Sequence, residues 1–186
     1  LKDMGMENAR MELHLVAQKS PMPNGAEEME FYFSANPGEP LRSMRDTASG
    51  GEISRIALAI EMVISHLLSQ QTLIFDEIDV GISGKVGLKV ARKIACLAKT
   101  IQVLCITHLP QIAAMADSHF VIEKETDGSS TQTEIRKLSE EGTKEELARL
   151  LGADSLSEKA LENAGELRKQ AENIKQKKLQ VSRLES

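Results

Sequence analysis

The sequence holds only two cysteines in 186 residues, Cys96 and Cys105. Both lie inside apolar stretches and match no paired metal-ligand spacing, so they read as reduced core thiols and not as a disulfide framework or a metal site. No apolar run approaches the roughly 20 residues that cross a bilayer. The opening Leu1–Arg10 scatters charges among methionines with no apolar centre, so no signal peptide is expected and a cytoplasmic address is. A basic surplus is missing too. Lys and Arg number 23 against 28 Asp and Glu, a net charge of −5, which argues against broad nucleic-acid binding by this chain alone, because neutralising phosphates needs a basic surface. There are no internal repeats and no low-complexity linkers. Hydrophobic residues at 41% and charged residues at 27% are those of a globular domain. A chain of this size can bury roughly 70% of its unfolded surface, so residues 1–186 are read as a single domain.

Met11 to Ala17 alternates apolar and polar residues, the period of a half-buried strand, and Met29 to Ser34 is a second strand. Between them Lys19 to Ala26 carries Pro21, Pro23, Asn24 and Gly25 and reads as a turn, which makes an antiparallel hairpin. From Ile53 the apolar residues Ile56, Ile60, Val63, Ile64, Leu67 and Leu68 recur at helical steps, in a helix of about 20 residues. Its start is marked by Ser49-Gly50-Gly51-Glu52. Thr72–Phe75 and Ile101–Ile106 read as strands covered on both faces, and Lys85–Lys99 as a helix between them, a βαβ unit with a parallel sheet. Pro110 opens a short helix. Two edge strands, Ser118–Lys124 and Thr131–Leu138, meet at an Asp127-Gly128 turn. Thr143–Leu151 and Leu156 to about Leu179 close the chain as helices, the last with Ala160, Ala164, Leu167, Ala171 and Ile174 in a heptad-like stripe.

Chemistry concentrates at three places. Asp76 and Glu77 sit at the carboxyl end of a buried strand, where ligands of open parallel sheets bind. Successive strand residues point opposite ways, so one acid would hold a cation and the other face a substrate. Four apolar residues followed by an acid match the Walker B element, whose Asp helps hold Mg²⁺ on a nucleotide's phosphates, and a following Glu suits a base that activates water. A solvated, acidic strand end is the plainer alternative. Ser49, Gly50 and Gly51 ahead of a long helix let backbone approach an anion, and the alternative is an ordinary serine cap on a glycine-rich turn. His108, preceded by Thr107, ends the next strand and can reach the same edge, or simply cap the helix at Pro110. His14, His66 and His119 lack such surroundings and read as structural or solvent-facing.

Twenty-seven residues separate Ser49 from Asp76, and 32 separate Asp76 from His108. That order resembles the ATP-binding cassette arrangement of signature, Walker B, D-loop and switch histidine, with the D-loop at Asp79-Val-Gly81-Ile-Ser83-Gly84. Glu52 stands where a transporter cassette usually has Gln, and SGGE is similar to the SMC, RecF and RecN branch that works on DNA. The stretches NPGEP, SGGEISR, FDEIDVGISG and ITHLPQIAAMAD, with Glu146-Leu-Ala-Arg149-Leu-Leu-Gly152, resemble the RecN family over about Gly5 to Gln170.

The resemblance implies a P-loop NTPase head of the ABC/SMC type, this chain being its carboxyl-terminal lobe, α/β with a parallel sheet core and flanking helices. Residues 1–10 would end a coiled coil, and 155–180 would be the carboxyl-terminal helix. Ser49, Gly50, Gly51 and Glu52 would contact ATP held on a second head, Asp76 Mg²⁺, Glu77 the attacking water, Asp79 the cross-dimer contact and His108 the γ-phosphate. A phosphate cradle G-x-x-x-x-G-K-[ST] is absent. The nearest imitation, Gly81-Ile-Ser-Gly84-Lys85-Val86, has the wrong gap and lacks the hydroxyl. No glutamine loop is identifiable either. The implied partners are therefore the amino-terminal half of the same head, a second head in an ATP-sandwiched homodimer, and DNA through the parent protein, with no membrane. The whole would be an ATPase in double-strand-break repair, located in the cytoplasm with the nucleoid, and this chain alone inactive. The alternative is a non-catalytic dimerisation or scaffold domain of the same fold. From Glu166 to Ser186 six basic residues face three acidic ones, either a solvated helix face or a basic seam toward DNA with Lys175, Lys177 and Lys178.

Overall fold

The structure is a computed structural model describing residues 1–23, 25–64, 72–126, 131–153 and 155–184. A 3-10 turn, Lys2–Met4, leads into the hairpin β1 (Arg10–Met22) and β2 (Gly25–Ser34). The two pair antiparallel, with Leu13 opposite Phe31 and Leu15 opposite Met29, and β3 (Arg42–Ser43) adds to the free edge of β2. Both strands run further into the expected turn, and the register becomes irregular between Ala17 and Met22, the stretch that carries Pro21.

The Ser49–Glu52 segment follows a single-turn helix, α1 (Met44–Thr47), and leads into α2 (Gly50–Ile64). The helix starts three residues before Ile53, because Ser49 and Glu52 close a capping box over its first turn. Leu67, Leu68 and His66 lie outside the described residues. Next, β4 (Thr72–Phe75), α3 (Gly84–Leu97) and β5 (Gln102–Cys105) form the expected βαβ unit, with β4 and β5 parallel and Phe75 beside Cys105. A short α4 (Pro110–Ala113) leads to the antiparallel pair β6 (Phe120–Thr126) and β7 (Thr131–Lys137). The turn expected at Asp127-Gly128 lies outside the described residues. The chain closes with α5 (Glu140–Leu150), capped by the Ser139 hydroxyl, and α6 (Glu158–Leu184).

The core is helical on one side and strand-built on the other. Val90, Ala91, Ile94 and Leu97 of α3 pack with Ile56 and Leu58 of α2, Phe75 of β4, and Leu147 of α5. Met4 and Met6 are buried in the same core. The stripe on α6 faces inward as well: Ala164 and Ala171 are buried, with Ala160, Leu167 and Ile174 packed beside them.

Two burial expectations are corrected. The first strand is not half-buried: β1 is exposed on both faces and Leu15 is 59% accessible, while the end of β2, at Phe33 and Ser34, does enter the core. Nor are β4 and β5 covered on both faces: Ile74 is 68% and Leu104 49% accessible. The reason is layering. Two parallel strands carry α3 on one side, and no element among the described residues covers the other, whereas parallel sheets are ordinarily sandwiched.

Candidate functional site

Strand register brings the three candidate segments to one edge. Because β4 and β5 run parallel and Ile106 donates its amide to the Phe75 carbonyl at 3.0 Å, the loops starting at Asp76 and Ile106 leave the sheet side by side. The start of α2 packs against the first of these loops. Gly50 lies so close to Glu77 that a Cβ there would collide with its carboxylate, and a Cβ at Gly51 would stand 3.0 Å from the carbonyl oxygens of both Glu77 and Val80. At Gly51 the neighbours are backbone and leave no room for a side chain, whereas at Gly50 the neighbour is the end of the exposed Glu77 side chain, which would have to turn aside. Ser54 donates to the Asp76 carbonyl at 2.7 Å, and Arg55 donates through Nη1 to the carbonyls of Ile78 and Val80, at 3.2 and 2.8 Å.

Glu77 adopts φ 57°, alone among the described non-glycine residues in the left-handed region. A side chain there costs on the order of 1–2 kcal/mol, and such residues cluster at functional sites. The turn it makes carries the chain sharply away from β4 and leaves both the Asp76 and Glu77 carboxylates exposed. Asp76 Oδ1 accepts the Glu77 amide at 2.9 Å. At the head of α2, Glu52 Oε2 accepts from the Ser49 amide at 2.9 Å and from its hydroxyl at 2.8 Å. The helix itself provides the amides of Gly50 and Gly51 with no partner, as for any first turn.

Asp79 is placed differently from its two acidic neighbours. It is 3% exposed, and its Oδ2 accepts from the Thr107 hydroxyl at 2.5 Å and the amides of His108 and Leu109 at 2.8 and 3.2 Å. His108 Nδ1 stands 3.0 Å from the same oxygen, with the rest of its ring in solvent. Cys105 sits just below. Burial first, then the charges of Asp79 and Asp76, push its thiol up to about 12, so it is an inert protonated thiol.

Among the described residues no three His, Cys, Asp or Glu side chains converge as a metal cluster. Asp76 offers a single exposed carboxylate. That suits Mg²⁺, which keeps most of its waters and binds through one or two carboxylates and a nucleotide's phosphates, and does not suit an all-protein metal cage.

Two participants were not singled out from sequence. Arg55 is buried on the α2 stripe of Gly51, Leu58 and Met62, with its Nε unpartnered, and burial pulls its guanidinium below the ordinary value against the opposing pull of Glu52. A lone arginine at an apolar-stripe position was the available signal. Thr107 gave none beyond its place before His108. The other histidines lie elsewhere: His14 stacks on Tyr32 with ring centroids 4.3 Å apart, and His119 is half-buried, pulled below its ordinary value by burial. A surface cleft of about 420 Å³ lies on the far side of α4, between Asp117, Glu140 and α6. It is bridged by ion pairs of Arg168 with Glu140 and of Lys175 with Asp117. Lys175 is therefore turned toward the fold, and the side chains of Lys177 and Lys178 lie outside the described residues.

The DNA repair protein RecN of Halalkalibacterium halodurans is 44% identical to the chain over 179 residues, which is 94% of this chain and 32% of that protein. RecN of Deinococcus radiodurans is 42% identical over 167 residues, and RecN of Bacillus subtilis 42% over 151. The chain belongs to the RecN family. It spans about a third or less of the length of the RecN relatives it matches, as a carboxyl-terminal portion of RecN would. No protein-family model matches it. In fold it is similar to the Smc head domain with a coiled coil and joint from Pyrococcus yayanosii, at a TM-score of 0.57 and 22% identity over 80% of this chain and 27% of that one. It is also similar to the Smc head domain with an extended coiled coil bound to the C-terminal domain of ScpA from Pyrococcus furiosus, at 0.53 and 23%, over 80% and 35% of the two chains. The fold is thus that of part of an Smc head domain, α/β with a parallel pair flanked by helices.

Proposed function

We propose that this RecN-family chain supplies the catalytic and dimer-facing half of an ATP-hydrolysing head in a DNA repair protein. The observation that supports this most is the packing of Gly50 against the Glu77 carboxylate. It sets a helix start with unpartnered amides against an exposed acid, on the edge to which the pairing of β4 and β5 also brings the His108 loop. Glu77 would take a proton from the attacking water, its carboxylate held outward by the turn at φ 57°. Asp76 would hold Mg²⁺, which when bound neutralises charge on the transferring phosphoryl group. His108 would face the γ-phosphate, and the amides of Gly50 and Gly51, with Ser49 and Glu52 shaping the turn, would meet ATP carried by a second head.

The exposed faces support an incomplete head. Ile74, Leu104 and Ile106 form an uncovered apolar surface on a two-stranded parallel sheet, fewer strands than stand alone in water. The amino-terminal half of the head, with the phosphate cradle this chain lacks, would extend that sheet and cover it. DNA would be engaged by the assembled protein.

In the full-length protein, Glu77→Gln is expected to lower ATP turnover at least about 10²-fold while ATP binding persists. Turnover assays paired with nucleotide-binding titrations check this, and undiminished turnover removes Glu77 from the role of base. The isolated chain should bind ATP weakly, and tight binding by it would contradict the half-site.

A further inference from the structure

Asp79 lies in the segment expected to reach a second head, yet its carboxylate is used up inside its own chain. It is buried, and one oxygen serves the Thr107 hydroxyl, two amides and the imidazole of His108. Reaching across a dimer would break four polar contacts at once and leave the 107–109 turn without its acceptor. A buried carboxylate collecting a hydroxyl and two amides is instead a fixed post, since such charge-assisted bonds are about twice as strong as neutral ones. The post holds a particular atom. With Nδ1 turned to Asp79, the outward atom of His108 is Nε2, because the two ring nitrogens lie on opposite sides of the imidazole.

Resting on the ATPase reading above, we propose that Asp79 is a positioning residue acting within its own chain: through Thr107 and the turn at 107–109 it sets the ring of His108 so that Nε2 projects from the carboxyl edge of β4 and β5. With Nδ1 3.0 Å from the Asp79 carboxylate, the neutral ring that carries its proton on Nδ1 presents Nε2 as an acceptor, suited to a water hydrogen. In the protonated ring Nε2 is a donor, suited to a phosphate oxygen, with the cation's charge balanced by Asp79. Without the carboxylate the ring is free to rotate and to exchange tautomers, and both roles lose their geometry. The loss should therefore appear in turnover and not in nucleotide affinity.

The test is a double-mutant cycle in the full-length protein, reading kcat and KM for ATP. Asp79→Asn is expected to lower kcat about 10- to 100-fold, the usual effect of removing a residue that orients a functional histidine, with KM little changed. His108→Ala should lower kcat at least as far, and adding Asp79→Asn to it should cost nothing further. Losses that multiply in the double variant, or a weakened ATP-dependent association of heads in the Asp79→Asn protein, would overturn the proposal in favour of a contact across the dimer. Should Asp79→Asn fail to fold, Thr107→Val removes one donor to the same oxygen and leaves no charge stranded. Its smaller loss in kcat should likewise vanish in the His108→Ala background, and a loss that persists there overturns the proposal. His108→Ala at full activity would overturn it too, whereas an unmodified protein without turnover would instead sink the ATPase reading beneath it.

Discussion

Glu77 combines two demands at one residue. Its side chain is the candidate base, and its backbone makes the left-handed turn at φ 57° that ends β4. Glycine adopts that conformation without penalty, so Glu77→Gly should be more stable than Glu77→Ala by about 1 kcal/mol, although both lack the carboxylate. Urea unfolding of the two variants measures the difference, and equal stabilities would mean that the turn holds no strain. Asp76 and Asp79, three residues apart, show how far environment separates like side chains: the first is exposed and free to meet a cation, while the second is buried and committed to Thr107, His108 and Leu109. The acids themselves were legible in sequence as a cluster after an apolar run. Their division of labour was not, because it depends on bonds spanning about 30 residues.

At the scale of elements, α2 and the loop after β4 behave as one body. Gly51 lies against the carbonyls of Glu77 and Val80, Ser54 and Arg55 donate to those of Asp76, Ile78 and Val80, and Gly50 abuts Glu77. The helix that would contact a second head's nucleotide is thereby tied to the acids that would act on this head's own. Gly51→Ala should force α2 off the 77–80 loop and destabilise the chain by about 1–3 kcal/mol, as overpacking does. Chemical denaturation checks it, and a neutral effect would show that the two elements yield independently. The start of α2 was legible because a Ser followed three residues later by Glu is a local capping signal. The docking of its glycines on the loop was not, since glycine pairs also mark ordinary turns. On α6 the heptad-like spacing was visible, and its direction was not. The stripe packs on its own core, assisted by Arg168, whose Nη1 donates to the carbonyls of Ala114 and Ala116 at 2.7 and 2.6 Å.

For the whole molecule, the open faces dominate. The hairpin and the parallel pair leave Leu13, Leu15, Met29, Ile74 and Leu104 in water, more apolar surface than a self-sufficient domain of this size would ordinarily leave in strands. The isolated chain should bind an apolar fluorescent dye strongly, and co-expression with the amino-terminal half of its parent should abolish most of that signal. A dye signal unchanged by the second half would show that it does not cover these faces. The sequence alone determined the order of the main elements, the parallel βαβ unit and the family, and it picked out the candidate residues, because periodicity, caps and short motifs are local properties of neighbouring residues. Only the tertiary structure decided that the glycines press on Glu77, that Asp79 turns inward to His108, and that β1 and the outer face of the parallel pair stand uncovered. These follow from strand register and layering, which join residues about 25 to 30 positions apart and which no local pattern encodes.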